Sequence, residues 1–204
     1  MAEETFPRSL VTDAAYDVVA LAASAGGFGA LSTVLGSLDA NFPAPIVVVQ
    51  HLDPRHRSLM AQILGRRTAL VVTEAVEDDK IAPGHVFIAP PNHHLLINHD
   101  GAMSLTQTEL VHFVRPSADL LFESVAAAFR ERSLAVVLSG TGSDGAMGLT
   151  AVKKMGGTTI AQDERTSEFF GMPKAAIDAG AIDFVLPIEE IAPALASLMS
   201  AGEM

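Results

Sequence analysis

The chain has 204 residues, 49% of them apolar, enough for one domain with a substantial core and no covalent staples. It contains no cysteine and no tryptophan, which excludes a disulfide framework, a thiolate metal site and a cysteine nucleophile. A formal net charge of -11 with only 13 Lys and Arg works against a nucleic-acid partner, because phosphate backbones are held by clustered cations.

In chain order, Met1–Tyr16 carries Glu3, Glu4 and Asp13 and lacks the basic start and apolar stretch of a signal peptide. No later apolar run is long enough to span a bilayer, so a cytoplasmic protein without membrane insertion is expected, with residues 1–16 as a short tail and 17–204 as the domain. Apolar runs then recur at Val18–Ala23, Ile46–Val49, Leu70–Thr73, Leu134–Leu138, Thr158–Ala161 and Phe184–Leu186, and read as buried strands. Helical patterns lie between them: Leu31, Val34, Leu35 and Leu38; Leu59, Met60, Ile63 and Leu64; then Ser117–Arg130 with Leu120, Leu121, Val125 and Ala128. Ser117 after Pro116 is a helix cap, Gly156-Gly157 ends the helix that starts near Gly145, and Pro173 and Gly180 bracket another. Alternation of this kind predicts an α/β fold, a doubly wound, mostly parallel sheet covered by helices on both faces. Residues 85–106 break the rhythm: Pro90-Pro91 and the turn pair Asp100-Gly101 predict an antiparallel excursion of two or three strands.

In an open parallel sheet, ligands gather outside the carboxyl ends of the strands. Ser24 directly follows the first strand, His51 follows the second, and Asp144 comes a few residues after Leu134–Leu138 in Ser139-Gly-Thr-Gly-Ser-Asp-Gly145. The three therefore fall on one edge of the sheet. Ser24 would attack an acyl carbon, His51 would take its proton and pass it to the leaving group, and Asp144 would orient the imidazole and stabilise its cation. Gly26, Gly27 and Gly29 open the next helix, so its amides and dipole point toward a developing oxyanion. Each residue also has an ordinary reading: Ser24 as a helix cap, His51 beside Asp53 and Pro54 as a solvated loop histidine, and Asp144 as a turn aspartate.

No metal is expected. His51 and His56 are five apart, His93 and His94 are adjacent and point to opposite faces of a strand, and no carboxylate sits at a metalloprotease spacing. Gly26-Gly-Phe-Gly29 lacks the G-x-G-x-x-G spacing of a dinucleotide turn, so no cofactor is expected either.

Several motifs occur in register: Ala23-Ser-Ala-Gly-Gly27; Gln50-His-Leu-Asp-Pro54; Pro83-Gly-His-Val-Phe-Ile-Ala-Pro-Pro91 with His94-Leu95; Arg115-Pro-Ser117; Leu138-Ser-Gly-Thr-Gly-Ser-Asp-Gly-Ala146; and Gly171-Met-Pro-Lys-Ala-Ala176. Together they resemble the catalytic domain of the chemotaxis protein-glutamate methylesterases, the CheB family, over nearly the whole chain. The resemblance implies hydrolysis of glutamyl methyl esters on chemoreceptor cytoplasmic helices, releasing methanol, and deamidation of receptor glutamines in many members. It places the family's serine, histidine and aspartate on Ser24, His51 and Asp144. It also implies oxyanion donors at Thr141 or Gly142 and at Ala25 beside Gly26, and an apolar crevice wall at Met172, for which a core methionine behind a helix start is the alternative. Two departures stand out. Ala22 replaces the family's usual glycine, and the residues before Tyr16 are too few for the family's receiver domain, so control by a receiver or kinase in trans is one expectation. The contrasting reading is an inactive module that binds receptors or regulatory partners.

Overall fold

The computed structural model describes residues 14–51, 58–111 and 113–200. The expected tail up to Asp13, the motif positions Asp53 and Pro54, and His56 lie outside the described residues.

Seven strands form the main sheet: β1 (Val18–Ala23), β2 (Ile46–Gln50), β3 (Val71–Glu74), β4 (His85–Ile88), β7 (Ser133–Val137), β8 (Thr158–Gln162) and β9 (Phe184–Leu186). Between β4 and β7 the chain makes β5 (His94–Ile97) and β6 (Met103–Thr106). The main sheet runs β3-β4-β2-β1-β7-β8-β9, and every pairing in it is parallel. Helices α1 (Gly27–Gly36), α2 (Met60–Leu64), α3 (Ala118–Phe129), α4 (Ala146–Lys154) and α5 (Gly171–Asp178) lie in connections between strands, and α6 (Ile188–Ser200) follows β9.

The sheet is buried on both sides, which is why its central strands read as continuous apolar runs. Along β1, Val19, Leu21 and Ala23 pack into one core with Leu31, Val34 and Leu35 of α1 and Ile191 and Leu195 of α6. The alternate residues Val18, Ala20 and Ala22 pack into the other core with Leu121, Phe122 and Val125 of α3 and Leu149 and Val152 of α4. Chain direction sets the crevice. From β1 the chain moves outward through β2, then returns to place β7 on β1's other side, so the carboxyl ends of β1, β2 and β7 meet at the switch point of the winding.

The expected elements are largely present, with differences at the periphery. His85–Ile88 joins the parallel sheet between β2 and β3, since Val86 and Ile88 are buried there, and the antiparallel excursion is the two-stranded β5–β6 hairpin. Its turn is the expected one: Gly101 has φ +80 and donates its N–H to Asn98 O, while Asp100 Oδ1 accepts the Ala102 amide. The outermost strands β3 and β9 are only partly covered, with Val71 51% and Val185 47% exposed. In α2, Met60 and Leu64 are buried, whereas Ile63, like Leu59 just before the helix, is exposed. Ser117 caps α3, its Oγ accepting the Leu120 amide, and Gly156, at φ +88, follows α4.

Candidate active site

Ser24 leaves β1 without capping a helix. The N-cap of α1 is Gly26, at φ +72 and with no side-chain cap bond, so the serine hydroxyl is not committed to the helix start. The backbone of Ser24 is pinned instead: its N–H donates to Ser139 O at 3.0 Å, and its carbonyl accepts Gly27 N–H at 2.9 Å. Gln50, at the buried end of β2, donates from Nε2 to the carbonyls of Ser24 and His51 at 2.8 and 3.2 Å, and the His51 amide donates to Ala23 O at 3.1 Å. One side-chain amide thus ties the serine turn to the histidine.

The Ser139–Gly145 loop comes close to Ser24 because Gly140 has no side chain. A β-carbon there would lie 2.2 Å from Met172 Sδ and 3.0 Å from Ser24 Cβ. The loop is propped from below, with Gly140 N–H donating to Phe169 O and Met172 N–H to Gly140 O. Gln162 Oε1 accepts the Ser139 amide at 2.8 Å.

Asp144 is 4% exposed and has both carboxyl oxygens occupied. Oδ1 accepts from Ser117 Oγ at 2.8 Å and from the Asp119 amide at 3.1 Å. Oδ2 accepts from the Ala118 amide at 2.6 Å and from His51 Nε2 at 2.8 Å. The carboxylate therefore sits on the start of α3, where free amides and the helix dipole favour negative charge. Burial alone would raise its pKa, but the hydrogen bonds from His51 and from the Ala118 and Asp119 amides outweigh it and hold Asp144 below its ordinary value. An ionised carboxylate only accepts, so His51 carries its proton on Nε2 and Nδ1 is left as the basic nitrogen.

Ser24, His51 and Asp144 line one cleft of about 350 Å³ together with Phe113, Val114, Thr141, Gly142 and Ser143. Thr141 and Gly142 thus line the same cleft as Ser24. Ala25 and Gly26 do not line this cleft: Ala25 O accepts from Ser139 Oγ, and Gly26 faces a neighbouring hollow with Gly29, Ser139 and Glu168. Met172 is fully buried in the core, beneath Gly140 rather than in the crevice wall, because the Gly171–Met172 turn is the floor of the loop. Among the described residues no cluster of three or more His, Asp or Glu side chains is arranged to hold a metal ion, and no helix is long and apolar enough to cross a membrane.

Sequence reasoning did not single out Gln50 or the link from Ser117 to Asp144. The available signals were a lone glutamine closing an apolar strand, and a cap serine whose hydroxyl hydrogen still needed an acceptor.

Comparison with known proteins identifies the family and supports the fold. The CheB methylesterase family model matches residues 19–195. A protein-glutamate methylesterase/protein-glutamine glutaminase of Moorella thermoacetica is 43% identical over 90% of this chain and 44% of its own length. The methylesterase FrzG of Myxococcus xanthus is 43% identical over 88% of this chain and 54% of its own. The chain thus spans about half the length of these two relatives, whereas a Leptospira interrogans protein that carries the methylesterase/glutaminase name provisionally is 41% identical over 87% of this chain and 92% of its own. The crystal structure of the Thermotoga maritima CheB methylesterase catalytic domain superposes with a TM-score of 0.87 at 37% identity, covering 90% of this chain and 99% of that one. The chain belongs to the CheB methylesterase family, enzymes that hydrolyse protein-glutamate methyl esters.

Proposed function

We propose that this protein removes methyl groups from glutamate side chains of chemoreceptor cytoplasmic helices, through a Ser24–His51–Asp144 triad, in a cytoplasmic adaptation pathway. The observation that carries this reading is the His51–Asp144 pair at 2.8 Å, mounted on the start of α3 in the same cleft as Ser24.

The chemistry follows from those groups. Ser24 Oγ attacks the ester carbonyl carbon while its proton passes to His51 Nδ1, and the imidazolium is stabilised by Asp144. The carbonyl oxygen becomes an oxyanion beside the Thr141–Gly142 backbone. When the tetrahedral intermediate collapses, the C–O bond to the methoxy group breaks and His51 returns the proton, so methanol leaves. Water then attacks the acyl-enzyme, with His51 again as base, and frees the glutamate carboxylate and Ser24. Glutamine deamidation would use the same steps with ammonia leaving. Phe113, 94% exposed at the mouth of the cleft, suits a protein surface better than a small free ester, because it offers apolar area outside the pocket.

Methanol release from methylated receptor tests the proposal. His51→Ala should lower the rate by roughly 10²–10⁴-fold, and Ser24→Ala should abolish acyl-enzyme formation. Wild-type protein that binds receptor but releases no methanol would instead mark a binding module. A His51→Ala variant as fast as wild type would remove His51 from the mechanism.

A further inference from the structure

We infer that His94 is a positioning residue: acting through Ser117, it sets the Asp144 carboxylate for reaction, which makes the β5–β6 hairpin a brace for the candidate catalytic pair. This inference deepens the proposed esterase reading and rests on it.

His94 lies on β5, opposite Thr106 of β6, and is fully buried. Both ring nitrogens are engaged. Nδ1 accepts the Ser117 amide at 3.1 Å, and Nε2 donates to Glu109 O at 3.1 Å. The N–H of an N-cap residue finds no partner inside its own helix and, when buried, requires an outside acceptor. His94 supplies it. Ser117, so held, gives its hydroxyl proton to Asp144 Oδ1 at 2.8 Å while its Oγ accepts the Leu120 amide. A continuous path thus runs from Glu109 O through His94, Ser117 and Asp144 to His51.

Only a neutral ring protonated on Nε2 fits both contacts. Its surroundings favour that state: burial and, less strongly, the Arg115 charge lower the pKa of His94, against the opposing pull of Glu109 O and the Asp144 carboxylate. Arg115 is itself fixed, since its guanidinium donates to Asn92 Oδ1 and to the carbonyls of Gln107 and Thr108, which also steadies the stretch that presents Glu109 O. A second tie, Ile97 N–H to Ser124 Oγ at 3.0 Å, joins the other end of β5 to α3. The hairpin therefore grips α3 at its first turn and again farther along. A hydrophobic filler would occupy the same volume but would leave the Ser117 amide without its acceptor and the N-cap free to shift.

Two amide substitutions separate positioning from packing. In His94→Asn the side-chain oxygen reaches the place of Nδ1 and keeps the bond from Ser117; in His94→Gln the amide reaches the place of Nε2 and keeps only the Glu109 contact. With methylated receptor as substrate, we expect His94→Asn to stay within about threefold of the wild-type kcat, and His94→Gln to lose about ten- to a hundredfold in kcat at unchanged KM. Ser117→Ala breaks the same path with β5 untouched and should fall equally in kcat, so the test survives if His94→Gln does not fold. Equal kcat values for the Asn and Gln variants, or an undiminished kcat for Ser117→Ala, would overturn the inference while leaving the esterase reading intact. Wild-type protein that releases no methanol sinks both.

Discussion

The carboxylate of Asp144 accepts four hydrogen bonds, two at each oxygen. An amide cannot replace it, because in either orientation its NH₂ group would face two donors. Asp144→Asn should therefore lower kcat by roughly 10⁴-fold, the usual cost of turning a triad carboxylate into an amide, and a variant keeping a tenth of the wild-type rate would contradict the role given to this residue. The same bonds predict the acid sensitivity of the fold. Asp144 is held below its ordinary 3.8, so its contribution to stability is complete above that value and is lost as the pH falls below it and through the lower pKa of the folded state. His94 is buried neutral, with its pKa below the ordinary 6.5. The unfolded chain takes up that proton first, so this contribution is complete above 6.5 and declines as the pH drops below it. Both terms make stability rise with pH. Urea midpoints should climb from about pH 5 to 7 in the wild type and flatten in His94→Asn; an unchanged slope in the variant would show that another group titrates there.

At the level of elements, α3 and α4 cap one another. Asp144, just before α4, holds the start of α3, and Asp119 in the first turn of α3 accepts the amides of Gly145 and Gly148 at 2.9 and 2.8 Å. The contact depends on Gly148, where a β-carbon would lie 2.6 Å from Phe122 Cβ and 2.7 Å from Asp119 O. Gly148→Ala must push the helices apart, at a cost of about 1–3 kcal/mol, and should reduce kcat as well, because Asp144 rides on that junction. A variant with wild-type urea midpoint and rate would show that the junction yields freely. This geometry also explains what was legible in the sequence. Ser24, His51 and Asp144 each follow an apolar run in strand-like spacing, and strand ends in a parallel sheet converge. His94 and Gln50 gave no such sign, since their roles depend on which carbonyl or amide the folded chain brings opposite them. Ser117 was legible as a cap, but a hydroxyl can donate and accept at once, and only the fold shows that its proton goes to Asp144. Met172 carried an apolar side chain consistent with either a wall or a floor, and the absence of a side chain at Gly140 decided for the floor.

Across the whole molecule, the three candidate catalytic residues hang from the middle of the sheet. β1 lies between β2 and β7 and all three are buried along their full length, while β3 and β9 close the two edges with half-exposed side chains. Local opening costs least where few apolar contacts must be broken, so stability should fall from the centre of the sheet to its edges. Native-state hydrogen exchange should find the amides of β1, β2 and β7 protected to the level of global unfolding and those of β9 released by smaller openings. Protection of β9 equal to that of β1 would rule out this gradient. The gradient matters for catalysis because Ser24 and His51 follow β1 and β2 without an intervening loop. Their backbones inherit the rigidity of the strands, and Asp144, near the far end of the Ser139–Gly145 loop after β7, needs the start of α3 and the hairpin behind it to hold the same precision.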